Sequence, residues 1–244
     1  MAVYTKIGLD EINLIEKNFS IGKILNYSGI KKGIENTNYL IKSKKRKFIL
    51  TIFEKRVNSR DLPFFMKLMS GLAKSKIKCP KPVENKKGKY LFKLKGKNAC
   101  LVTFLEGKDK NNLNSKECFV IGKNIARLHN SSKKLRIFRK NSLSVNSWGP
   151  LLKKISRKIN KKFKDLTDNM KIDYIQIKKL WPKKLPTGII HCDLFLDNIF
   201  FYKGRFHGFI DFYFSSNDYY AYDLAICVTA LCLSLIHISE PTRP

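Results

Sequence analysis

The run His191-Cys192-Asp193-Leu194-Phe195-Leu196-Asp197-Asn198, followed by Ile210-Asp211-Phe212, constrains this chain more than any other feature. Gly188-Ile189-Ile190 enters it as a short apolar strand, and Asn198-Ile199-Phe200-Phe201-Tyr202 leaves it as a second. Lys203-Gly204-Arg205 then turns the chain back into Phe206 to Asp211. Asp193 and Asn198 therefore sit at opposite ends of one loop, and Asp211 ends the neighbouring strand, so three oxygen-bearing side chains converge. An isolated D-x-x-x-x-N is common at strand ends, where both residues bond their own backbone. The preceding His, the flanking apolar strands and the following I-D-F separate this stretch from that case.

The spacing matches the parts of a phosphoryl-transfer site: an acid that takes the acceptor hydroxyl proton, and two oxygen ligands for a cation on the nucleotide phosphates. Asp193 is read as the catalytic base, with His191 organising the loop behind it. Asn198 and Asp211 are read as ligands that hold Mg²⁺ against ATP.

The segments G-I-I-H-C-D-L-F-L-D-N-I-F and G-F-I-D-F-Y-F-S-S-N-D-Y-Y-A-Y-D-L-A-I-C-V resemble the aminoglycoside phosphotransferase-like kinases, and within them the type II homoserine kinases. Gly33 to Tyr39, Leu50 to Arg56, Asp61 to Phe65 and Phe104-Leu105-Glu106-Gly107 agree. The resemblance runs to about Cys232. It implies an α+β, protein-kinase-like fold with two lobes: a small antiparallel-sheet nucleotide lobe over residues 1–107 and a mainly helical catalytic and acceptor lobe over 108–232. It also implies ATP and Mg²⁺ as cofactors and L-homoserine as the small-molecule partner. A related acceptor (an aminoglycoside, choline or methylthioribose) would use the same base and metal residues with a different pocket.

Strand candidates at 19–27, 37–41 and 48–53 flank a loop with Gly29 and Gly33, which suggests a hairpin that covers phosphates. It has neither G-x-x-x-x-G-K-[ST] nor a full G-x-G-x-x-G. By resemblance Asn36, Thr37, Thr51 and Lys55 line the nucleotide, and Phe104 and Glu106 belong to a hinge whose backbone binds adenine. Thr51 stands where many relatives carry a phosphate-pairing lysine, so that cation is open among Lys42, Lys55 and Arg56. Leu62 to Ala73 and Ser115 to Asn130 read as amphipathic helices, with His129 structural, and another helix is expected over Leu151 to Phe163 after Trp148-Gly149-Pro150. Residues 131–180 match too poorly for any role to be carried over.

Asn217 and Asp218 either face the acceptor pocket or form a turn that caps the next helix. Asp223 is read as a brace for the catalytic loop, and Asp197 as loop support or part of the substrate rim. Residues 233–244 stop resembling the family and are similar to translated sequencing-adapter sequence. The expectation is that the natural large lobe continues beyond this point and that His237 has no role.

Lys and Arg number 49 against 19 acids, a net charge of +30, which raises the alternative of a basic nucleic-acid-binding protein. The lysines are spread through every loop, no nucleic-acid-binding signature occurs, and abundant Lys, Asn and Ile fit an AT-rich coding bias. Specific nucleic acid and membrane partners are not expected. Six irregularly spaced cysteines, with no C-x-x-C pair, fit reduced thiols in the cytoplasm.

Overall fold

The computed structural model describes residues 3–32, 35–54, 57–159 and 163–232. Lys55, Arg56, Gly33 and the tail from 233 onward lie outside the described residues. After helix α1 (Leu9–Asn18) come β1 (Ile24–Gly29), β2 (Thr37–Ser43), β3 (Lys47–Ile52), α2 (Leu62–Lys74), β4 (Leu91–Leu94) and β5 (Lys97–Thr103). The five strands form one antiparallel sheet in the order β1-β2-β3-β5-β4.

Alternation along the strands divides the residues between two cores. Tyr39, Ile41, Phe48, Leu50, Ile52, Ala99 and Leu101 face α1 and pack with its Ile12 and Ile15. Cys100 and Val102 point the other way, into a larger core shared with Leu62, Phe65, Leu68 and Leu72 of α2. That second core continues into Ile121, Ile125 and Leu128 of α3 (Ser115–Ser132) and into Leu194, Ile199, Phe209 and Phe212. One apolar body therefore joins the sheet lobe to the catalytic strands.

The helical part adds α4 (Val145–Ser156), α5 (Lys164–Leu180) and α6 (Tyr220–Cys227), with two small antiparallel pairs between them. These pair β6 (Thr187–Ile190) with β9 (Ser216–Tyr219), and β7 (Ile199–Tyr202) with β8 (Arg205–Phe209). The helix expected after Trp148-Gly149-Pro150 instead starts at Val145 and includes all three residues. Trp148 Nε1 donates to the Leu143 carbonyl at 2.7 Å and anchors the first turn. A Cβ on Gly149 would lie 2.8 Å from the Tyr174 hydroxyl, so the glycine lets α4 and α5 approach. Pro150, the sixth residue of α4, lacks the amide that would bond the Asn146 carbonyl, so the helix forgoes one rung of its ladder there.

Gly107 follows the last strand of the sheet lobe. Its φ of +123° and the 2.6 Å that would separate a Cβ from the Phe201 carbonyl leave room only for glycine. Beyond it, Lys108 and Phe201 exchange backbone hydrogen bonds of 3.0 and 2.9 Å, which pins β7 to the end of the sheet lobe.

Candidate active site

Three elements enclose a cavity of about 330 Å³: the sheet face carrying Asn38, Ile49 and Thr51, the segment from Thr103 to Asp109, and the loops carrying Asp197, Asn198 and Asp211. Its walls are apolar where Ile49, Val102, Phe200 and Ile210 meet, and polar at one end. A flat heteroaromatic group suits the first region and charged oxygens suit the second.

The loop after β6 is held from behind. Asp223 of α6 is fully buried and accepts hydrogen bonds from His129 Nε2 (2.8 Å), the His191 amide (3.1 Å) and the Cys192 amide (3.0 Å). Burial by itself raises a carboxyl's pKa; here the His129 bond, the nearby His191 and the Cys192 amide outweigh it and hold Asp223 below the usual carboxylate range. Cys192 adopts φ +67°, a left-handed conformation that costs a non-glycine residue energy. The Asp223 bond and the 3.2 Å contact of Cys192 Sγ with Ser216 Oγ hold it there.

Replacing Asp223 with Ala would strand three buried donors, and the unfolding free energy is expected to fall by about 3 kcal/mol. Because its folded pKa is depressed, the contribution is present above the unfolded carboxyl pKa and is lost as pH falls through the lower folded value. Urea denaturation followed by circular dichroism should therefore give a constant gap between the two proteins from pH 5 to 8 that closes in acid. A gap under about 1 kcal/mol at neutral pH would remove the brace.

His191 is wholly buried, and its Nε2 donates to the Ile210 carbonyl at 2.9 Å. Burial pushes its pKa down to about 4, so the ring is neutral at physiological pH. Its Nδ1 has no partner among the described residues. The imidazole thus ties the Asp193 loop to the strand end at Ile210, and it does not line the cavity. Asp193 is fixed from the other side: Asn198 Nδ2 donates to its carbonyl and to its Oδ2, both at 2.8 Å. That orientation leaves the Asn198 amide oxygen as the atom suited to a cation.

Asp211 follows β8 in a left-handed conformation (φ +59°, ψ +63°) and opens onto the cavity. Although the residue is exposed, protein atoms around its carboxyl strip part of its water, and this, followed by the charges of Asp193, Glu35 and Asp197, pushes its pKa up to about 6. A carboxylate crowded by carboxylates is an environment that a cation would relieve. Among the described residues no three acidic, histidine or cysteine side chains group closely enough to hold a metal alone. The oxygen donors of Asp211 and Asn198 fit a hard cation whose other ligands are phosphate oxygens and water.

Other expected residues fall in different places. Thr51 lines the cavity and donates to Asn38 Oδ1 at 2.8 Å; Phe104 also lines it. Thr37 does not: it is fully buried beneath the N-terminal segment, accepting from the Tyr4 and Thr5 amides (3.0 and 3.1 Å) and donating to Glu54 (2.7 Å). Asn36 is buried too, and its Oδ1 faces the Glu54 amide at 3.4 Å. The Glu106 side chain points outward to Lys47 at 3.0 Å, while its neighbours Phe104, Leu105 and Gly107 reach the cavity. The side chains of Asn36, Thr37 and Glu106 therefore do not line it. Lys42 is exposed near the end of β2, an inner strand, and does not line the cavity, whereas Lys32, which sequence reasoning passed over, lines it and pairs with Asp109 at 2.5 Å. Its place in the loop after β1 was the available signal.

Asp197 stands on the cavity wall. Asn217 and Asp218 belong to β9 and border a second hollow of about 570 Å³ with Ser144, Asn146 and Trp181. Asp218 accepts from Asn141 Nδ2 at 2.7 Å, and Asn217 Oδ1 accepts from the Arg139 amide at 2.9 Å. Asp218 does not cap α6, whose N-cap is Tyr219.

The sequence profile of the phosphotransferase enzyme family matches residues 26–235. A homoserine kinase of Nitrobacter hamburgensis is 42% identical over 243 residues, covering all of this chain and 74% of that protein. The homoserine kinase of Agrobacterium fabrum is 41% identical over 232 residues, 95% of this chain and 72% of that protein. Among solved structures, an amicoumacin kinase in complex with AMP-PNP and Ca²⁺ superposes with a TM-score of 0.73 at 18% identity, over 91% of this chain and 69% of that one. A spectinomycin phosphotransferase bound to ADP and spectinomycin gives 0.67 at 16% identity, over 90% and 73%. The fold is that of these two-lobed kinases, and with the profile spanning both the sheet and the catalytic loops, the chain belongs to the phosphotransferase enzyme family.

Proposed function

We propose that this chain transfers the γ-phosphoryl group of ATP to the hydroxyl of L-homoserine, giving O-phospho-L-homoserine and ADP. The observation that carries the reading is the tethered Asp193–Asn198 pair, whose Asn198 lines the cavity together with the crowded Asp211 and the segment from Thr103 to Asp109. The choice of acceptor rests on identity of about 40% to homoserine kinases along the whole chain, acceptor lobe included.

In this reading the apolar part of the cavity takes adenine against the hinge backbone. Asn198 and Asp211 hold Mg²⁺, which when bound offsets phosphate charge and orients the transferred group. Asp193 accepts the acceptor's hydroxyl proton as the oxygen bonds to phosphorus and the bond to the bridging oxygen of ADP breaks. Lys32 supplies the cation that sequence left unassigned. Asp218, held by Asn141, offers an anion for the acceptor's ammonium. His191 and Asp223 position the loop without contacting substrate.

The test is a coupled ADP-release assay with Mg²⁺-ATP and a panel of L-homoserine, choline, methylthioribose and an aminoglycoside. Turnover that depends on L-homoserine is expected. Turnover with another member of the panel would reassign the acceptor, and acceptor-independent behaviour with tight, salt-sensitive polyanion binding would favour the basic-protein alternative.

A further inference from the structure

Arg139 lies in the stretch where sequence gave no roles, yet it makes more directed contacts than any cavity residue described above. Its side chain is 14% exposed, and Nε donates to Asp61 Oδ2 at 2.7 Å, immediately before α2. Nη1 donates to the carbonyls of Phe214 and Ser215 at 3.2 and 3.0 Å. The guanidinium also lies 5.1 Å from the ring centroid of Phe65, one helical turn beyond Asp61. Its backbone exchanges two bonds with Asn217, at 2.7 and 2.9 Å.

These contacts have one geometric effect. Phe214 and Ser215 end the single helical turn that begins right after Asp211, and Tyr213 within that turn packs edge-on against both Phe65 and Phe53. Ser215 Oγ in turn donates to the His191 carbonyl at 3.3 Å. A fork-shaped donor therefore links the start of α2, which belongs to the sheet lobe's core, to the segment that sets the backbone of Asp211. A lysine could supply the charge at this point but not three bonds in one plane.

We propose that Arg139 is a positioning residue for the cation site: through its pair with Asp61 it holds the 211–215 segment so that Asp211 presents its carboxylate to a metal–nucleotide complex. The proposal rests on the nucleotide half of the reading above and is independent of the acceptor. Nothing in it requires Arg139 to touch substrate.

The experiment measures binding of a fluorescent ATP analogue without any acceptor, as a function of Mg²⁺ concentration, on the full chain and on R139K, D61N and the double variant. Homoserine turnover is not used, so a wrong acceptor would leave this test intact, whereas absence of all Mg²⁺-dependent nucleotide binding in the parent would overturn the nucleotide reading itself. Expected is a rise of about tenfold in the Mg²⁺ needed for half-maximal binding in R139K and a smaller rise in D61N. The double variant should be no worse than R139K, because both changes break one linkage. A lowered melting temperature with an unchanged Mg²⁺ requirement would show a purely structural role and overturn the proposal, as would effects that multiply in the double variant. If R139K does not fold, D61N decides by the same readout.

Discussion

Asp193→Asn should lower homoserine-dependent turnover by about 10²- to 10⁴-fold, the range for loss of a positioned general base, while nucleotide affinity changes little. The substitution is conservative for the loop, since an asparagine keeps an oxygen that can accept from Asn198 Nδ2, the bond now made by Asp193 Oδ2 at 2.8 Å. His191, Cys192 and Asp223 hold the backbone independently of the Asp193 carboxylate. What is lost is the group that receives the hydroxyl proton. Single-turnover rates beside fluorescent-nucleotide binding separate the two effects. Turnover within threefold of the parent in the folded variant would sink the assignment of the base, and a parallel collapse of nucleotide affinity would show that Asp193 acts on the metal instead.

The part of the site that was legible in sequence is local. Asp193 and Asn198 lie on one loop between two short strands, so their spacing alone brings them together, and the structure joins them by two hydrogen bonds. Along β3, Leu50 packs into the core against α1 while the next residue, Thr51, faces the cavity, as strand alternation requires. Thr37 and Asn36 sat in an equally suggestive place, but their partners are distant in the chain: Tyr4 and Thr5 fold over Thr37, and the Glu54 amide meets Asn36. No pattern near residue 37 signals that. Arg139 is the extreme case, since Asp61, Phe214 and Ser215 are all distant in the chain. Around it the sequence is lysine-rich and sparsely apolar, so periodicity had nothing to register, and α5 carries many of its apolar side chains exposed, as with Ile172, Ile175 and Leu180. Residues that act through tertiary contacts leave little local trace.

Asp211 carries the second large effect, and its pH dependence distinguishes a metal ligand from an acid merely crowded by its neighbours. Folding raises its pKa to about 6 from an ordinary 3.8, so between these values the folded chain binds the extra proton. In the absence of metal its contribution to stability is present at low pH and is lost as pH rises through about 6, because ionisation is then forced on a crowded site. A cation reverses the balance by favouring the ionised form. Binding of Mg²⁺-nucleotide at pH 6 should therefore release about half a proton more from the parent than from Asp211→Asn, and the difference should vanish by pH 7.5. Calorimetric titration with preformed Mg²⁺-nucleotide in two buffers of different ionisation enthalpy reads this directly. Asparagine is the right replacement because, like aspartate, it tolerates the left-handed backbone at this position, whereas alanine would add strain to the loss of charge. Asp211→Asn should weaken Mg²⁺-dependent nucleotide binding by about 100-fold, the upper end of what removing support from a metal site costs. Equal proton release in parent and variant would mean that the raised pKa of Asp211 is unconnected with the cation. A variant that kept full affinity at high Mg²⁺ would move the metal to other oxygens of the cavity, of which Asp197 is the nearest in sequence to the loop.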